Sequence, residues 1–194
     1  MFRRRQPLPE APAPLQRLAQ GDALALDIVY RAEAGEVYRF ALAMCGNPAW
    51  SADAVQDAFV HIAEDLSGFD AAKGPLRAYL CGIARHRLLA RWRESRGVVA
   101  AEDEDIADEV GEAFALAPDA ELARAQDSAS LWGAIRALPW SFREAVVLVD
   151  LQERPYAEAA QIAGVELNTL RTRLHRGRQR LAQALAPQYG ELQT

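Results

Sequence analysis

The stretch Tyr156-Ala-Glu-Ala-Ala-Gln-Ile-Ala-Gly-Val-Glu-Leu-Asn-Thr-Leu-Arg-Thr-Arg-Leu-His-Arg-Gly-Arg178 decides the fold of this chain. It reads as two helices joined by a tight turn at Gly164-Val165-Glu166. Ala160 is small where two helices must cross closely, and Gly164 suits the turn. Val165, Leu170 and Leu174 supply an apolar clamp. Leu170, Leu174, Gly177, Leu181 and Leu185 form one buried stripe on the second helix. The segment from Pro155 to Leu185 is therefore expected to be a helix-turn-helix that reads double-stranded DNA. A recognition helix puts its N-terminal side chains at base edges, which makes Asn168, Thr169, Arg171 and Thr172 the candidate base readers. Arg173, Arg176 and Arg178, with His175 beside them, are better placed for phosphate, which positions without specifying.

Working outward, charge is partitioned along the chain. The 194 residues carry a net charge of -5, which at first argues against a nucleic-acid binder. The distribution reverses that inference. Residues 73–96 hold Lys73, Arg77, Arg85, Arg87, Arg91, Arg93 and Arg96 against one acid, Glu94, and residues 167–182 hold five arginines and no acid. Residues 98–123 hold Glu102, Asp103, Glu104, Asp105, Asp108, Glu109, Glu112, Asp119 and Glu121 and no base. Either basic run alone reads equally well as a solvated helix face. Two of them around a polyanionic spacer favour a chain that touches nucleic acid twice.

No strand-like alternation appears between Leu15 and Ser95, so an all-helical unit is expected there. Leu24, Ile28, Val37, Phe40, Ala41 and Met44 give one inward set, ending at the turn signal Gly46-Asn47-Pro48. From Asp53 to Leu66, Val55, Phe59, Ile62 and Leu66 form the core stripe, and Asp53, Asp57, His61 and Glu64 fall outside it. Pro75 opens a helix running to about Arg93. Beyond the spacer, Asp127 to Leu138 is helical, and Ser141-Phe-Arg-Glu144 is a capping box starting a helix to about Asp150. The layout is all-α: a disordered tail over 1–14, a helical domain over 15–96, an acidic flexible linker over 97–125, a helix-turn-helix domain over 126–187 and a short tail over 188–194.

Several classes are set aside. Phe2-Arg3-Arg4-Arg5 is followed by prolines instead of the apolar stretch of about 7–15 residues a secretory signal needs. No window approaches the ~18 apolar residues of a membrane span, so no membrane insertion and a cytoplasmic site of action are expected. Cys45 and Cys81 read as buried reduced thiols, with a redox or metal pair involving His61 or His86 as the alternative. No catalytic constellation or Gly-rich phosphate loop is present, so no enzyme, cofactor or metal is expected.

Leu138-Pro139, Phe142-Arg-Glu-Ala-Val-Val-Leu148, the 156–165 segment and Asn168 to Arg178 together resemble region 4 of bacterial extracytoplasmic-function (ECF, group IV) sigma factors. Tyr38-Arg-Phe-Ala-Leu42, Asp53-Ala-Val-Gln-Asp-Ala-Phe59 and Gly74-Pro-Leu-Arg-Ala-Tyr-Leu-Cys-Gly-Ile-Ala-Arg85 resemble region 2. The resemblance implies a polymerase specificity subunit. Its region 2 would dock on the β′ clamp helices of core RNA polymerase and open the −10 element; its region 4 would read the −35 element beside the β flap. The acidic face with Asp53, Gln56, Asp57 and Glu64 would bind polymerase. Phe69, Lys73, Arg77, Tyr79, Arg85 and His86 would hold the −10 strand, although Phe69, Tyr79 and Trp92 stand equally well as core residues. The acidic tether resembles the family linker that threads the polymerase cleft, and in the free protein is expected to fold back on the arginine helices. A cognate anti-sigma factor is a further implied partner. His86, Ala90 and Glu166 depart from the usual Asn, Asp and Ser. The rival reading is an autonomous helix-turn-helix regulator whose N-terminal unit senses a ligand or dimerises.

Overall fold

The computed structural model describes residues 13–96 and 124–190. Within them every regular element is helical: α1 (Ala13–Ala19), α2 (Ala23–Cys45), α3 (Pro48–Glu64), α4 (Leu76–Arg96), α5 (Arg124–Ala137), α6 (Trp140–Val146), α7 (Tyr156–Ala163) and α8 (Leu167–Gly190), with a π-helical turn over Val147–Leu151 extending α6. The chain divides into two compact units, one built on α1 to α4 and one on α5 to α8. The acidic stretch and its expected fold-back lie outside the described residues. α1 begins inside the stretch expected to be tail, Pro14 being tolerated in a first helical turn.

In the first unit α3 packs along α4. Asn47 starts α3: its Oδ1 accepts from the Trp50 backbone N–H at 3.1 Å, and Pro48 takes the first helical position, where no donor is missed. α3 thus begins at Pro48, five residues before the Asp53 from which the helix was read. Val55, Phe59 and Ile62 are buried as expected, and Leu66 follows just past the helix end. α2 corrects its expected inward set. Val37, Phe40, Ala41 and Met44 are fully buried, but Leu24 is 72% and Ile28 45% exposed, and Ala25 and Val29 take the inward positions. At about 100° per residue, Ile28 lies half a rotation from Val37, so the two cannot share a face.

In the second unit the capping box does not form. Pro139 is the N-cap, with φ -50° and ψ 147°, and its carbonyl accepts from Phe142 and Arg143 at 3.1 and 2.9 Å. The helix therefore starts before Ser141, which lies inside it, and Glu144 is buried instead of reaching back. Arg143, buried on α6, donates through Nη2 to the Leu138 carbonyl at 3.0 Å and to that of Arg136, satisfying acceptors at the end of α5.

α8 packs across α6 at Gly177. A Cβ there would stand 2.9 Å from Val146 Cγ2 and 3.1 Å from the Phe142 carbonyl oxygen. A side chain there would force the Val146 methyl and the Phe142 carbonyl to give way. Gly177→Ala gains about 1 kcal/mol of helix propensity but incurs about 1–3 kcal/mol of overpacking against the Val146 side chain and the Phe142 carbonyl. The expected result is a lower denaturant midpoint; an unchanged or raised one would show that the crossing is loose.

Candidate nucleic-acid interface

The turn between α7 and α8 is a Schellman motif. Gly164 is left-handed at φ 68°, ψ 33°, its N–H donates to the Gln161 carbonyl at 3.2 Å, and the Val165 N–H donates to that of Ala160 at 3.0 Å. Ala160, Leu170 and Leu174 are buried and Val165 is half-buried, so the expected clamp is assembled. With one face of α8 seated inward, Asn168, Thr169, Arg171, Thr172, His175 and Arg176 all lie exposed on its outer surface. Arg173 is half-buried on the flank. Thr172 Oγ1 donates to the Asn168 carbonyl at 3.0 Å.

Arg178 is differently placed. Its Nε and Nη2 donate to the two carboxylate oxygens of Asp150 at 3.1 and 2.6 Å. That hydrogen-bonded carboxylate holds the guanidinium above its ordinary pKa. Asp150 sits in the π-helical turn, where the Gln152 N–H reaches the Val147 carbonyl five residues back. Neither Asp150 nor the buried Arg143 was singled out by sequence. Asp150 and Arg178 are 28 residues apart, and only the fold pairs them.

In the first unit, Asp53, Gln56 and Glu64 are exposed and Asp57 is partly so. Two of these carboxylates already have partners on α4: Arg91 reaches Asp53 at 2.8 Å and Arg87 reaches Asp57 at 3.5 Å. Arg91 also lies 5.2 Å from the centre of the Trp50 ring. The face is thus a mixed-charge surface, not a bare acidic one. Lys73, Arg77 and His86 are exposed, and Lys73 lies 3.8 Å from Asp70. Phe69 and Arg85, in contrast, are buried at 4% exposure each, as is Trp92 at 7%. Of the two roles open to Phe69 and Trp92, the fold gives them the core one.

Tyr79 is half-buried, its ring centre 5.7 Å from that of Phe69 and its hydroxyl 3.4 Å from His61 Nε2. A Cβ on Gly68 would come within 2.5 Å of that hydroxyl. Among the described residues no group of three His, Cys, Asp or Glu is placed to hold a metal ion, and no helix is long and apolar enough to cross a membrane. Cys45 and Cys81 are free thiols, the second buried.

The family models Sigma-70 region 2 and Sigma-70, region 4 match residues 29–97 and 128–181. The ECF RNA polymerase sigma factor SigE of Mycolicibacterium smegmatis is 32% identical over 188 residues, covering 89% of this chain and 67% of that protein. This chain belongs to the ECF sigma factors. SigM of Bacillus subtilis, another ECF RNA polymerase sigma factor, is 27% identical over 158 residues, with 81% and 93% of the two chains covered. The fold is shared with the sigma factor RpoE of Bartonella quintana, solved with the anti-sigma factor NepR (24% identity, TM-score 0.61, 82% and 96% covered). It is shared also with CnrH, solved with the cytosolic domain of CnrY (20% identity, TM-score 0.63, 90% and 96% covered). As a sigma factor the chain directs core RNA polymerase to promoters.

Burial, and then the nearby Asp65 charge, push the Tyr79 phenol above its ordinary value of 10.0. The folded state therefore keeps this proton where the unfolded chain loses it. The contribution is complete below about pH 10 and lost as pH rises through the folded value. Alkaline titration by ultraviolet absorbance is expected to show a late-ionising tyrosine that Tyr79→Phe removes; Asp65→Asn should shift it to lower pH.

Proposed function

We propose that this ECF sigma factor, of group IV, reads −35 DNA with the outer face of α8 and engages the −10 element and polymerase with the α3–α4 unit. In this reading residues 15–96 act as region 2, 97–125 as the linker and 126–187 as region 4. The observation that carries it is the exposed row Asn168, Thr169, Arg171, Thr172, His175 and Arg176 on a helix whose opposite face is clamped by the Schellman turn. Rigid seating supports this reading, because side chains on a pinned helix enter a major groove without further ordering of the backbone. Arg171 and Asn168 address base edges; Arg176 and Arg173 contact phosphate. Arg178, held by Asp150, belongs chiefly to the scaffold.

For the −10 element, Lys73, Arg77, Tyr79 and His86 supply the strand-facing groups, with Phe69 and Arg85 beneath them as support. Asp53, Gln56, Asp57 and Glu64 form the surface for the β′ clamp helices, and region 4 sits beside the β flap. The chain works in the cytoplasm as a specificity subunit, not as an enzyme, and a cognate anti-sigma factor holds it in reserve. RpoE, which shares the fold, was solved with such a partner.

Electrophoretic mobility shift with a promoter fragment tests the reading. The chain with core polymerase should shift the fragment and the chain alone should not; a full shift without polymerase would favour an autonomous regulator. Arg171→Ala should cost ~1–3 kcal/mol of discrimination at one −35 position, while Arg176→Ala weakens binding evenly and lowers the salt dependence. Equal, sequence-independent losses from both would refute the division of roles. Replacing Asp53 and Asp57 together by Asn should weaken capture by core polymerase in a pull-down without lowering helix content.

A further inference from the structure

Tyr156 opens α7 with a large aromatic side chain that remains 39% exposed. The Arg171 guanidinium lies over its ring, 6.0 Å from the centroid. Arg171 also donates from Nη1 to Asn168 Oδ1 at 3.4 Å. Tyr156 contributes, after Asp150, to the environment that raises the Arg178 pKa, so it neighbours both arginines. Arg171 and Arg178 are two helical turns apart and share one flank of α8. Asn168, Arg171, Tyr156, Arg178 and Asp150 thus form a continuous polar chain from the start of α8 to the π-helical turn.

A free arginine side chain loses rotamer freedom when fixed. One already held against a ring loses less when its target arrives. We propose that Tyr156 is a positioning residue for −35 recognition, holding Arg171 in the pose from which it and Asn168 address base edges. This rests on the reading of α8 as the −35 helix. Tyr156 stands on the first helix of the pair, so it carries the geometry of the turn into the reading side chain: the pose of Arg171 follows the crossing of α7 and α8.

The test uses the full chain with core polymerase and fluorescent promoter fragments carrying each −35 base-pair substitution, titrated at several salt concentrations. Tyr156→Leu, which keeps apolar bulk but removes the π face, should lower discrimination at the Arg171-dependent position about two- to fivefold. Tyr156→Phe, which keeps the face, should preserve it. The Tyr156→Leu/Arg171→Ala double variant should read the same as Arg171→Ala alone, because the ring has nothing left to position. Additive losses in the double variant, or a loss from Tyr156→Leu that is equal on every −35 sequence, would overturn the proposal in favour of a direct phosphate contact or a general packing role. If Arg171→Ala itself leaves discrimination intact at every −35 position, the reading of α8 fails first and this proposal with it.

Discussion

The close crossing of α8 over α6 at Gly177 is the constraint on which the DNA-reading unit depends. The Phe142 carbonyl stands 3.1 Å and the Val146 Cγ2 methyl 2.9 Å from where a Cβ would be, so α8 meets α6 there with no side chain of its own between them. Leu170 and Leu174 then seat the preceding turns of α8, and the Schellman turn at Gly164 seats its beginning. Once one face of the helix is pinned along its length, the opposite face has a single direction to point. The outward row from Asn168 to Arg176 is the product of that steric fit, not of any preference of the outward residues themselves. The apolar clamp and the polar row are two descriptions of one helix rotation.

Electrostatics works by pairing. A chain of net charge -5 binds a polyanion only if its positive groups are concentrated where contact occurs. The fold sorts its arginines accordingly. Arg87 and Arg91 face carboxylates of α3, and Arg178 faces Asp150. Arg171 and Arg176 face outward. Exposed ion pairs of this kind stabilise little, ~0–1 kcal/mol each. Their larger effect is to decide which guanidinium groups a phosphate meets without first displacing a carboxylate.

Much of this was legible in the residues, for identifiable reasons. The α3 stripe and the α7–α8 turn rest on local periodicity and on a glycine whose left-handed conformation few other residues adopt, so they survive translation into structure. Leu24 and Ile28 misled because, four residues apart, they share a helix face of their own, out of phase with Val37 to Met44. Ser141 and Glu144 had the spacing of a capping box, but Pro139 had already begun the helix. Phe69 and Arg85 have the chemistry of a strand-binding pocket, yet an aromatic and an arginine serve a core as well, and type alone does not separate the two uses. Asp150 was hidden because its partner lies 28 residues away and because a π turn shifts the register that an ideal helix would give it.

The preference for arginine has a chemical corollary. Lys73 is the only lysine among 22 basic residues, and it sits exposed beside Asp70 in the loop leading to α4. A side-chain acetylation, or any reagent selective for side-chain amines, therefore has one address in the whole chain. That address lies on the segment proposed to meet the melted strand. Neutralising it would remove one cation there while leaving every guanidinium of α8 as it was, so the two proposed DNA contacts of this sigma factor are chemically separable without changing a codon.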